Sequence, residues 1–293
     1  MEGLAGSGSL EQYLLLLLSD SNLPTGGFIA SSGLESYIQH GLLASDGAEN
    51  KAQGVLHFLR KSLHAYARLS LPFLSSAHLL LLALPATSSD DAGDDLSATQ
   101  NAFTRLLQLD HQFETMSLNH IARRASTAQG VALLTLYERA LAPEVEAEGK
   151  GPRQLLVERL RKAVRAGEAL GHLPVGFAAM AGACGLTLAS TQHLFLFLHA
   201  RSLLSSAVRL NTLGPYLAHR QLLHDVRPLV EEALASCKDL RVAEEKPVEE
   251  GLGRKEWWEV DEGEDEEGPA TTWPLGEILA ARHDQLHSKI FNS

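Results

Sequence analysis

Residues Asn50–Ser70 read NKAQGVLHFLRKSLHAYARLS, and this stretch decides the fold class. Val55, Leu59, Leu63, Tyr66 and Leu69 recur three or four residues apart, while Lys51, Arg60, Lys61 and Arg68 fall largely off that face. Such a period belongs to an amphipathic helix. Outward from it, the periodicity predicts helices over 96–115 and 117–142, with Ser117 as the N-cap of the second. Gly149-Lys150-Gly151-Pro152 breaks the pattern before a helix over 153–168. Gly171 and Pro174 punctuate next, since Gly suits the end of one helix and Pro the first turn of another. A last long pair spans 187–212 and 215–236, separated by Gly214-Pro215. No alternating β-branched run suggests a strand. The expected fold is all-α, one bundle-like domain over residues 1–238.

Between Ala169 and Ala200 there is no Asp, Glu, Lys or Arg. Five glycines and prolines by Gly185, and the polar run Ser190-Thr191-Gln192-His193, mark this as central buried helix rather than a membrane span. The start of the chain lacks the basic residues and cleavage site of a signal peptide, and Leu14–Leu18 is too short to cross a bilayer. Cys184 and Cys237 show no paired spacing, as expected of reduced thiols in a cytoplasmic protein. The formal charge is −11, and residues 239–268 hold thirteen acids against four bases. The remaining body is nearly neutral and offers no basic stripe for a nucleic acid. Residues 85–95 read as a mobile surface loop and 239–270 as an acidic disordered linker. That linker carries Trp257-Trp258, either a docking element or two partly solvated indoles. Residues 271–293 form a separate C-terminal tail.

Chemistry is sparse. No phosphate-binding loop, nucleophile elbow or His-Glu-x-x-His helix occurs. Among thirteen histidines, His283 and His287 lie four apart beside Asp284, a pattern that on a helix suits zinc, nickel or copper. His193 and His199 are expected in or beside the apolar core. A helical enzyme with an unrecognised pocket would use, for example, His172 and Glu168 as acid and base. Leu23-Pro24-Thr25-Gly26-Gly27-Phe28 makes a tight loop, followed by Ser31-Ser32 as a helix cap before Gly33-Leu34-Glu35. In the tail, Leu286 and Ile290 would share one face of a helix, and with Phe291 they form an apolar hook among Arg282, His283, Asp284, Ser288 and Lys289. An amphipathic end beyond a tether docks, either on its own body or on a partner.

Several blocks together resemble the UreF-type urease accessory proteins. They are Ser19–Phe28, Gly33-Leu34-Glu35, Gln39–Leu42, Arg124–Gly130, Gly171–Val175, Ser205–Leu210 and the closing Arg282-His283-Asp284 with Leu286–Phe291. The resemblance implies an all-helical, non-catalytic homodimer without a cofactor of its own. Its partners would be a UreD/UreH-type accessory protein, a UreG-type GTPase and apo-urease, for delivery of nickel. By position, Arg282, His283, Asp284, Leu286, His287, Ser288, Lys289, Ile290 and Phe291 would contact the UreD/UreH-type partner. Pro24, Thr25, Gly26, Gly27, Phe28, Glu35, Gly171, His172, Ser205 and Arg209 would shape the dimer or the GTPase-facing surface. A nickel-binding metallochaperone using His283 and His287 is the alternative. Ala30 stands where the family often has His, and Lys289 where Arg is common.

Overall fold

The computed structural model describes residues 5–43, 47–86, 92–143, 150–243 and 268–292. The expected all-α class holds, with no strand among the described residues. In chain order the helices are α1 (Ala5–Leu18), α2 (Leu34–Gln39), α3 (Ala48–Ala83), α4 (Ala92–Met116), α5 (His120–Leu136) and α6 (Pro152–Ala166). They continue with α7 (Leu173–Ala183), α8 (Leu188–Arg209), α9 (Pro215–Gln221), α10 (Arg227–Cys237) and α11 (Pro274–Ala281).

Helix α3 is the axis, packed by α4, α7, α8 and α10. By length and composition it could cross a membrane, but Leu59, Leu63, Leu71, Phe73, Leu74 and Leu81 are buried against those neighbours. The charge-free stretch supplies α7, buried on nearly every side. Glycine sets how closely α7 meets α5. A Cβ on Gly130 would lie 2.1 Å from the Gly171 carbonyl oxygen, so only a residue without a side chain lets these backbones touch.

Pro72 sits inside α3. Lacking an N–H, it leaves the Arg68 carbonyl without its helical donor, and Ala270 N donates to that oxygen at 3.4 Å. The far end of the acidic segment is thus tied to the central helix. Its near end is tied too, since Val242 N donates to Ser76 Oγ (3.1 Å) and Arg105 donates to the Val242 and Ala243 carbonyls. The expected linker therefore begins and ends on the body, while Trp257 and Trp258 lie outside the described residues.

Several boundaries correct the sequence expectation. The N-cap of α5 is Asn119, whose Oδ1 accepts from Ile121 N (2.9 Å) and Ala122 N (3.3 Å). Ser117 caps nothing, and its hydroxyl is buried without a partner. Helix α4 already starts at Ala92, inside the expected 85–95 loop. Gly33, with φ of +86°, precedes α2 without a side-chain cap from Ser31 or Ser32. His199 lies inside the bundle as expected, but His193 is exposed.

Candidate functional site: the clasped C-terminal tail

Of the two docking possibilities for the tail, the structure displays the first: the chain end lies on its own body. The receptor is Glu35, in the first turn of α2 and 1% exposed. Its carboxylate accepts from Ile290 N (2.7 Å), Phe291 N (3.2 Å) and the His283 imidazole Nε2 (3.1 Å). Three donors, with the start of α2 alongside, offset the cost of burying this acid. Gly33 lets the approach happen, because a Cβ there would lie 3.2 Å from that of Ala280 on α11.

Two arginines close the clasp. Arg124 on α5 grips Asp284 with two parallel bonds of 3.0 Å and reaches the Asn292 carbonyl at 2.8 Å. The hydrogen bonds from Arg124 hold the Asp284 carboxyl down at about 2. Arg209, at the end of α8, lies between two rings, 3.7 Å from the Phe28 centroid and 4.2 Å from that of Phe291. It also donates to the Phe28 carbonyl, and burial lowers its pKa. Gln39 adds a bond to the Ser288 carbonyl (2.7 Å), and Lys289 donates to the Asp284 carbonyl (3.2 Å). The loop block, the Gly-Leu-Glu block, the Arg124 block and the Arg209 block all converge on the final residues. Their separations of up to 256 residues in sequence close in one place.

The UreF family profile matches residues 50–225. Over 97% of its length the chain is 39% identical to urease accessory protein 6 of Cryptococcus neoformans var. grubii, covering 97% of that protein. Urease accessory protein F of Oryza sativa subsp. japonica is 30% identical over 78% of this chain and 73% of its own. Urease accessory protein UreF of Haemophilus influenzae is 28% identical over 95% of this chain and 94% of its own. This chain belongs to the UreF family. It is a urease accessory protein, non-catalytic, with a role in urease maturation. The profile covers Arg124 and Arg209 but neither Glu35 nor the tail, so the clasp of this UreF protein draws on the matched region and on the segments on either side of it.

The remaining expected site residues fall into distinct settings. Phe28 and Ile290 are exposed, at 62% and 57%. Pro24, Gly26, Arg282, His287, Ser288, Lys289 and Ser205 are exposed, whereas Thr25, Gly27, Leu286 and Arg209 are half-buried. Phe291 is only 2% exposed, so as docked it occupies its own body and not a partner's groove. Nor do Leu286 and Ile290 share a helical face, because the short 3-10 turn Arg282–Gln285 ends in extended backbone at Leu286. The same break separates His287 from the buried His283. Among the described residues no cluster of three or more His, Cys, Asp or Glu is placed to hold a metal.

Gly171 and His172 are buried. Asp110 of α4 accepts from Leu170 N (2.6 Å), Gly171 N (2.9 Å) and His172 N (2.7 Å). His172 contacts Glu114 through Nε2 (2.8 Å) and Ser126 through Nδ1 (3.2 Å), and Leu173 N donates to Ser126 Oγ (2.9 Å). Burial holds this imidazole below its ordinary pKa. A neutral ring with its proton on Nε2 satisfies both neighbours. Glu168 is exposed, and His172 instead pairs with Glu114, so the acid–base pairing considered above does not form. Sequence reasoning does not find Asp110, Glu114 or Asn119, and it touches Gln39 and Ser126 only as members of blocks of the resemblance. Asp110 does leave a signal, an acid one residue from Leu109 on the apolar face of Leu106 and Phe113.

Proposed function

We propose that this protein is a scaffold in nickel insertion, using its docked tail as the surface that engages a UreD/UreH-type accessory protein. The observation that carries this reading is the clasp, in which Glu35, Arg124 and Arg209 hold the chain end in one register. A tail held this way spares a partner much of the ordering cost that a free segment imposes on binding. The surface on offer is then composite. Ile290 stands outward on the tail, and exposed Leu42, Leu275 and Ile278 lie on the segments that meet it. Phe291, Glu35 and Arg209 act beneath that surface, as its support. Arg282, His287, Ser288 and Lys289 supply polar contacts at the rim, where charge sets register and encounter rate.

In the same reading a UreG-type GTPase joins on a surface that includes the Pro24–Phe28 loop and Ser205, the protein works as a homodimer in the cytoplasm, and apo-urease receives the nickel. His283 is committed to Glu35, which leaves the metallochaperone alternative without a ligand pair. Co-purification with the UreD/UreH-type partner tests the proposal. Ending the chain at Asp284, or replacing Ile290 by Asp, should abolish capture. Glu35→Gln should weaken capture at least tenfold while leaving the helical body folded. Undiminished capture by the truncated chain would overturn the proposal.

A further inference from the structure

A cavity of about 740 Å³ runs between the α3, α5 and α8 faces, under the loop after α1 and under α11. Its wall shows helical spacing on two long helices. On α3 it takes Ser62, Ala65, Tyr66 and Leu69, and on α8 it takes Phe195, Leu198, His199 and Ser202. Bundles ordinarily fill such convergent faces with side chains. The volume lies within the range of small-molecule sites, roughly 300–1,000 Å³. Filled with water alone it would hold on the order of 20 molecules at about 30 Å³ each, against walls such as Phe113, Phe177 and Leu133 that offer them no hydrogen bond.

One hydroxyl on that wall awaits a partner. Ser117 is 6% exposed, and its Oγ is buried with no hydrogen bond. Tyr66 stacks on the His199 ring (3.9 Å) and the Phe195 ring (5.0 Å). A buried polar atom left unpaired is costly, so it marks a place where something is missing. Charge is unwelcome here. Burial raises the pKa of Glu277 on the same wall, and Arg201 is already engaged by the Ser19 carbonyl.

We propose that this cavity is a binding site for a small uncharged amphiphile, with an apolar body against Phe113 and Phe177 and one hydroxyl or carbonyl group meeting Ser117. The proposal does not rest on the tail's partner contacts, although α11 and the loop after α1 contribute to both. The test uses the purified full-length chain and two fluorescent probes, neutral N-phenyl-1-naphthylamine and anionic 1-anilinonaphthalene-8-sulfonate. The neutral probe should saturate at one per chain, at least tenfold tighter than the anionic one. Filling the space with Ala65→Phe should weaken it at least tenfold with an unchanged thermal midpoint. Ala125→Phe, from the opposite wall, serves if the first variant fails to fold. Ser117→Ala should remove the preference for 2-naphthol over naphthalene, about fivefold, without affecting naphthalene itself. Absence of saturable binding, binding indifferent to both fillings, or loss of binding when two chains associate would overturn the proposal, the last because a second copy would then cover the mouth.

Discussion

Two buried carboxylates in this protein do the same job with opposite consequences. Asp110 gathers three consecutive backbone amides at the start of α7, and Glu35 gathers two amides and an imidazole from the tail. Both match a costly buried charge with three donors. The segment that Asp110 holds is fixed at both ends by helices α6 and α7, so losing its grip disturbs the core. The segment that Glu35 holds follows the short helix α11 on the outside of the bundle, with the exposed residue Asn292 just beyond it. Losing that grip loosens a surface segment that Arg124, Arg209 and Gln39 also hold, and leaves the core intact. One motif thus makes architecture in one place and a releasable contact in the other.

The strongest way to break this comparison is Asp110→Ala. It should cost about 3–5 kcal/mol, as for one partner removed from a buried charged network, read as a shifted urea midpoint of the whole protein. A loss under about 1 kcal/mol would show that the α7 start holds itself. Acid comes next. Burial pushes His78 down to about 4 and His199 down to about 3. Both rings stay neutral in the fold yet charge in the unfolded chain below its ordinary value near 6.5. The stability they contribute is complete above that value and is lost as pH falls toward the folded pKa values. Between about pH 6.5 and 5 each should cost about 2 kcal/mol, and replacing His199 by Phe should flatten part of the slope in urea titrations.

Glu35→Gln sharpens the contrast from the other side. It should lower global stability by only about 1–2 kcal/mol, yet the Ile290 and Phe291 amides should exchange with solvent at least tenfold faster. Equal protection of those amides in the variant would show that Arg124 and Arg209 hold the tail without it. The smallest effect belongs to the cap that joins the two regions. Asn119 caps α5 and also donates to the Glu277 carbonyl of α11 (3.2 Å). Asn119→Ala should cost about 1 kcal/mol, visible as a thermal midpoint a few degrees lower.

Helix α6 is legible from its own residues, because Pro152 at its first turn and Gly167 in the left-handed conformation after its end are local signals. The break at Leu286 is not, because Arg282–Phe291 has helical spacing and is drawn straight by Glu35, far away in sequence. The same holds for Ser117, a good cap by type, overruled by Asn119 two residues on. Histidines at helical spacing suggest a metal, and the local backbone, which spacing cannot report, parts them.

What this sequence determined unaided is the helical class, the neutral body, the acidic interruption and the membership carried by its short blocks, since periodicity, charge and turn residues act over a few neighbours. What tertiary structure alone decided is which partner each buried charge takes. Asp110 meets Gly171, Glu35 meets Ile290 and Arg124 meets Asp284 across gaps of about 60 to 255 residues. A buried charge must find its donors wherever the packed backbone presents them, and no local pattern encodes that place.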